Sequence, residues 1–88
     1  MVYIICYESK KANNDYAKFH KEIKALGNNL KLNEGVYILE SDETSSSIYF
    51  ALKPNIKDED DLLVIQAGRD WFGFMPLEKL YWIQKVVG

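Results

Sequence analysis

The sequence is poor in the residues that build several common classes of protein. It has a single cysteine, Cys6, and therefore cannot form an intramolecular disulfide or a cysteine-based metal site. Its longest uncharged apolar run, residues 1–7, falls far short of the roughly 20 residues that span a bilayer. The 11 Lys and Arg residues are outnumbered by 13 Asp and Glu, so the basic excess of a protein that coats nucleic acid is absent.

The N-terminal residues also lack the features of a secretory signal. No basic flank precedes an apolar stretch, and no small-residue cleavage site follows one. We therefore expect a cytoplasmic protein with no membrane partner.

Apolar residues, by contrast, are abundant. Of 88 residues, 48% are hydrophobic and 14% aromatic, which is enough for one folded domain spanning residues 1–88. A chain of this length buries only about 60 to 65% of its unfolded surface, so dimerisation is a natural way to bury more.

Three runs are apolar on both faces and predict buried strands: residues 2–7, 36–41 and 62–65. Leu30 and Leu32 alternate with Lys31 and Asn33, which is typical of a half-buried edge strand. Asn33-Glu34-Gly35 predicts a turn or a bulge, so residues 28–41 are expected to form a hairpin or one long bulged strand pair.

Helical spacing separates these strands. Tyr16, Phe19, Ile23 and Leu26 form one apolar stripe that is capped at Asn13 or Asn14 and ends at Gly27. A second helix begins after a cap at Asp42 or Thr44, carries Ile48, Ala51 and Leu52, and stops at Lys53-Pro54. Pro76 suits the first turn of a final helix, with a strand over residues 81–87 as the alternative.

The order of these elements predicts the fold. It is the β-α-β-β-α-β order of an α+β ferredoxin-like sandwich, with an additional C-terminal helix or an element swapped between subunits. Its helices would cover one face of the sheet and leave the other apolar. A second copy in a two-fold dimer would cover that open face, or the C-terminal helix would. The residues predicted for this dimer or packing face are Tyr3, Ile5, Tyr7, Tyr37, Leu39, Leu63 and Ile65.

Short motifs in a fixed order carry a resemblance over nearly the whole chain. The first strand ends in a tyrosine and an acid, Tyr7-Glu8, and the first helix ends in Leu26-Gly27. Further segments follow at 34–39, 41–42, 52–54, 61–65, 68 and 70–71. In this order the chain resembles the small CRISPR adaptation protein superfamily, and within it the SinR-like branch of stand-alone proteins.

The resemblance implies a ferredoxin-like homodimer from a defence system. The adaptation proteins scaffold an integrase and contact duplex DNA. Some members are described as metal-dependent nucleases that use an aspartate at the end of the first strand. Glu8 occupies that position here, and its additional methylene shifts the carboxylate by more than about 1 Å, which metal catalysis tolerates poorly.

Two sets of polar residues are candidate sites. Glu8 and its two-fold mate could hold a metal ion between subunits, although a solvated carboxylate explains Glu8 as well. Residues 1–31 carry six lysines against three acids, and this asymmetry suggests a phosphate partner. The candidate nucleic-acid contacts are Lys10, Lys11, Lys18 and Lys21, for which a solvated helix face is the alternative.

Other patterns favour structural roles. The acidic run at residues 58–61 lacks the spacing of a calcium loop and is read as a solvated loop. We expect the aromatic residues between 71 and 82 to pack the C-terminal element on the sheet or on a partner. Cys6 is expected to be buried and inert.

These observations favour a non-enzymatic homodimeric scaffold or interaction module that contacts duplex nucleic acid or a protein and requires no cofactor. The alternative is a metal-dependent endonuclease, which would need Mg²⁺ at Glu8, or a toxin-type ribonuclease. The fold alone does not distinguish among these functions, since ferredoxin-like sandwiches host many functions.

Overall fold

The chain combines strands and helices in an α+β arrangement. The computed structural model describes residues 1–10 and 16–87. Within these ranges the chain forms four strands, three α-helices and one 3₁₀ turn. In order they are β1 (Val2–Glu8), α1 (Tyr16–Leu26), β2 (Asn28–Asn33), β3 (Val36–Glu40), α2 (Ser45–Leu52), the 3₁₀ turn (Lys53–Asn55), β4 (Asp61–Ala67) and α3 (Leu77–Val87).

The four strands form one antiparallel sheet in the order β2-β3-β1-β4. The apolar runs at 2–7 and 36–41 supply the two central strands, as their pattern predicts. The strand predicted at 62–65 is β4, which is longer than expected and lies at an edge. The predicted edge strand is β2, which has a register irregularity between Lys31 and Asn33.

Two glycines allow neighbouring elements to approach closely. Gly27 ends α1, and a Cβ at this position would collide with the carbonyl oxygen of Glu40. Gly35 has a φ of 80° in the predicted turn, and its Cβ would collide with the carbonyl oxygen of Tyr7. Side chains are therefore excluded at both positions by space as well as by backbone conformation.

The start and the end of α2 follow the predicted signals. The Thr44 hydroxyl accepts a hydrogen bond from the Ser47 amide at 3.2 Å, which caps the first turn. Pro54 lies in the 3₁₀ turn that closes the helix. Ile48 and Leu52 are buried, whereas Ala51, which the same stripe included, is exposed.

The main core lies between the sheet and the helices α1 and α2. Phe19 and Ile23 of α1 and Ile48 and Leu52 of α2 supply its helical side. The strands supply Tyr3, Ile5, Tyr7, Tyr37 and Leu39. These five residues were predicted to line the open face, and the structure places them on the helix-covered face instead. Because β1 is apolar on both faces, its sequence could not show which face the helices cover. The packing of α1 and α2 determines it.

The C-terminal helix α3 packs on the opposite face of its own sheet. Ile83 of α3 forms a second hydrophobic cluster with Val2 of β1 and Ile38 of β3. The alternative in which this helix covers the open face is therefore confirmed in part, and the strand over 81–87 is wrong. Leu63 and Ile65 do lie on this face, as predicted, and remain exposed.

The predicted caps Asn13 and Asn14 lie outside the described residues. Within residues 1–10 and 16–87, no helix is both long and apolar enough for a membrane crossing.

Candidate functional site

The end of β1 opens into a depression of about 670 Å³ whose walls carry several carboxylates. The turn after β2 and the loop before β4 converge there, next to the 3₁₀ turn. The polar and charged lining residues are Tyr7, Glu8, Tyr16, Glu34, Tyr49, Lys53, Asp58, Asp60 and Asp61.

Asp60 organises one side of this depression. Its Oδ2 accepts the Tyr7 hydroxyl at 3.0 Å and the Lys57 amide at 3.0 Å, and its Oδ1 accepts the Lys10 amide at 3.1 Å. The hydrogen bond from the Lys57 amide is the largest cause that lowers the pKa of the Asp60 carboxyl. Burial, and then the neighbouring Asp60, raises the pKa of Tyr7. Asp60 thus ties the loop before β4 to the end of β1.

Lys10 joins two further carboxylates at the rim. Its Nζ lies 3.1 Å from Oε1 of Glu8 and 3.0 Å from Oδ2 of Asp61. The hydrogen bond to Asp61, followed by that to Glu8, raises the pKa of Lys10. An ammonium group therefore sits between the two carboxylates that a cation at this strand end would use.

The candidate metal ligand Glu8 is exposed at the end of β1. Within the described ranges, no group of three or more His, Cys, Asp and Glu side chains is arranged to hold a metal ion. Glu8 with a two-fold mate would need a second chain, so metal binding at Glu8 stays a prediction.

The candidate nucleic-acid contacts divide between two locations. Lys18 and Lys21 lie exposed on α1, three residues apart and so on neighbouring parts of the helix surface. Lys10 is instead engaged at the acidic rim, and Lys11 lies outside the described residues. Carboxylates therefore balance the charge of Lys10, whereas Lys18 and Lys21 present theirs on the surface of α1.

Apolar side chains remain exposed on the side of the sheet that α3 only partly covers. Ile4 and Ile65 are paired across β1 and β4, and Cys6, half-buried rather than fully buried as expected, pairs with Leu63. Phe72 lines the same apolar cleft of about 170 Å³ as Ile4. We call this the exposed apolar surface, and its members are Ile4, Leu63, Ile65, Phe72, Leu77 and Tyr81.

The aromatic residues of the C-terminal segment divide into two groups. Trp71 and Trp82 pack against the second cluster, as predicted. Phe72 and Phe74 have relative exposures of 103% and 102%, so within this single chain they do not pack on the sheet. The prediction of sheet packing is therefore wrong for these two rings, and packing on a partner stays open.

Sequence reasoning missed two polar groups in the interior. The hydroxyl of Tyr37 and Nδ1 of His20 are both buried without a hydrogen-bond partner in the described structure. Their rings stack with centroids 5.4 Å apart. The role of Asp60 was also missed, because its partner Tyr7 is 53 positions away in the chain. The run of acids gave no signal that one of them turns inward.

A search against models of protein families finds no match for this chain, and a search of curated proteins finds none either.

Proposed function

We propose that the protein is a homodimeric, non-enzymatic interaction module that contacts duplex nucleic acid and is related to the small CRISPR adaptation proteins. The proposal includes a ferredoxin-like architecture. The strand order β2-β3-β1-β4, with a helix after β1 and another after β3, supports that architecture.

The observation that carries the proposal is the exposed apolar surface. A fully exposed phenylalanine presents on the order of 150 to 250 Å² that could be buried. Phe72 therefore offers about 150 to 250 Å² on this surface, toward the roughly 300 to 600 Å² of the largest apolar patch on a typical monomer. Leu63, Ile65 and Tyr81 add to it. A surface of this size favours a protein interface, for which about 800 Å² per partner is standard.

The nucleic-acid part of the proposal is based on Lys18 and Lys21. Both are exposed on α1, and α1 packs on the face of the sheet opposite to the exposed apolar surface. A dimer formed through the apolar surface would therefore leave both lysines accessible. Lysine ammonium groups act as point charges toward phosphate, which suits contact without sequence recognition.

Light scattering on the purified protein, with and without short duplex DNA, tests the proposal. We expect a mass twice the 10.2 kDa of a single chain, and a further gain with DNA at low salt that disappears at higher salt. A monomer would contradict the dimer, and a dimer that ignores DNA would move the proposal to a protein partner.

Charge reversal identifies the contact. Lys18→Glu with Lys21→Glu should weaken DNA binding at least tenfold and reduce the slope of log K against log salt by about two. Lys57→Glu with Lys85→Glu is the matched control, since both lysines are exposed and the net charge falls equally. Equal loss in both variants would argue against a contact through α1.

The same samples address the nuclease alternative. Mg²⁺-dependent cleavage of the DNA that is lost in Glu8→Ala would favour an enzyme. Metal binding would then require the ion pair between Lys10 and Glu8 to break. Cleavage that Glu8→Ala leaves unchanged would not come from this site.

A further inference from the structure

The two outer strands of the sheet differ in how their free edges are protected. β2 contains three asparagines and Lys31, and its pairing with β3 is interrupted by a register shift. β4 pairs with β1 over all seven of its residues without a shift, and it contains neither lysine nor proline. Charges, prolines and bulges are the usual means of preventing edge pairing, and β4 has only Asp61 at its first position.

The hydrogen bonds of β1 establish which groups of β4 lie at the free edge. Met1 and Ser41 exchange two backbone bonds of 3.0 and 2.9 Å, and the Tyr7 amide donates to the Gly35 carbonyl at 2.7 Å. Odd-numbered residues of β1 therefore point their backbone groups toward β3, and even-numbered residues point theirs toward β4. Through the register of the two strands, the residues of β4 that point away from β1 are Leu62, Val64 and Gln66.

Among the described residues, these outward backbone groups are unpaired. Across the described ranges, no N–H or C=O of Leu62, Val64 or Gln66 bonds to the backbone of a further element. An open depression of about 300 Å³, lined by Ser45, Tyr49 and residues of β4, lies beside the strand and leaves room for incoming side chains.

We propose that β4 pairs antiparallel with β4 of a second copy of this chain, about a two-fold axis at Val64. Val64 exchanges two backbone hydrogen bonds with its own counterpart. Leu62 exchanges two backbone hydrogen bonds with Gln66 of the second copy. By symmetry, Gln66 exchanges two with Leu62 of the second copy. The two sheets become one continuous sheet. This inference rests on the homodimer of the proposed function and places its contact along β4, which contributes Leu63 and Ile65 to the exposed apolar surface.

The sequence of β4 favours a second copy over an unrelated strand because it is complementary to itself in this register. Leu63 lies opposite Ile65 of the second copy, so two apolar pairs form on the open face. Asp61 lies opposite Ala67, which keeps the two carboxylates at opposite ends of the paired strands. No like charges oppose each other, and exposed side chains of Leu63 and Ile65 become covered.

A proline at the axis tests the pairing. Val64→Pro removes the outward N–H and leaves the bonds to β1 in place, a substitution that edge strands tolerate. Val64→Ala is the control, because it shortens the side chain and keeps the N–H. We expect light scattering to give half the wild-type mass for Val64→Pro and the wild-type mass for Val64→Ala, with unchanged circular dichroism.

A pair of double variants tests the register and serves if the proline variant does not fold. Leu63 and Ile65 are about half exposed, so charges there are tolerated by the single subunit. Leu63→Lys with Ile65→Lys places like charges opposite each other across the axis, and we expect a monomer. Leu63→Lys with Ile65→Glu places opposite charges there, and we expect the dimer to persist.

The outcomes separate this interface from the dimer itself. A wild-type dimer that survives both Val64→Pro and the double lysine variant would overturn pairing through β4 while leaving the proposed homodimer in place. A wild-type monomer would overturn both.

Discussion

At the scale of single residues, both backbone conformation and space select glycine at position 35. Its φ of 80° disfavours any side chain, and a Cβ would meet the carbonyl oxygen of Tyr7. The close approach of the two backbones also lets the Tyr7 amide donate a hydrogen bond to the Gly35 carbonyl. We expect Gly35→Ala to lower the free energy of unfolding by at least about 1 kcal/mol, measured by urea denaturation. Gly68→Ala, where a Cβ meets nothing within 4 Å, should change it little. Equal effects would contradict this account.

Asp60 gives the protein a predicted dependence of stability on pH. Its carboxyl has a folded pKa lowered from 3.8, so its contribution is complete above pH 3.8 and is lost as the pH falls through the folded value. Asp60→Asn should therefore lower the urea midpoint at pH 7, and the difference from wild type should shrink below pH 3.8.

Asp58→Asn is the matched control, since among the described residues the fully exposed Asp58 side chain is paired with Lys53 alone, at 3.9 Å. It removes the same charge from the same loop. A difference for Asp60→Asn that stayed constant with pH would assign the effect to side-chain shape rather than to ionisation.

At the scale of the elements, the two faces of the sheet should respond differently to a charge. Ile5 is fully buried under α1 and α2, whereas Leu63 is 53% exposed on the opposite face. We expect Ile5→Asp to prevent folding, because an unpaired buried charge costs about the whole stability of a small domain. Leu63→Asp should leave the single subunit folded. Circular dichroism with thermal melting distinguishes them, and a folded Ile5→Asp variant would refute the burial.

The elements themselves were largely predictable from the sequence, but their faces were not. Helical spacing, the cap at Thr44 and the glycines at 27 and 35 are local signals, and each appears in the structure where it was expected. Tyr3 and Ile4 are both apolar, however, and only the packing of distant helices decides which of them faces the core. The exposure of Phe72 has the same origin, since no local pattern states where α3 docks.

For the molecule as a whole, the candidate site was less predictable than the fold. The sequence singled out Glu8 and Lys10 separately, and the structure joins them at 3.1 Å. Asp60 could not be distinguished from its acidic neighbours, because two of its three hydrogen bonds come from Tyr7 and Lys10, 53 and 50 positions away in the chain. Contacts of this kind are set by topology, which a single sequence encodes only through long-range pairing.

The unequal edges of the sheet also bear on how far growth by strand addition can go. A subunit with two unprotected strand edges can pair with a neighbour at each edge, so strand pairing continues into a fibre. A subunit with one unprotected edge has no free edge left after it pairs once. The asparagines and Lys31 of β2 then become the outer rims of the finished particle. In the proposed dimer, β4 would therefore form the contact, and β2 would prevent further subunits from adding to it and forming an aggregate.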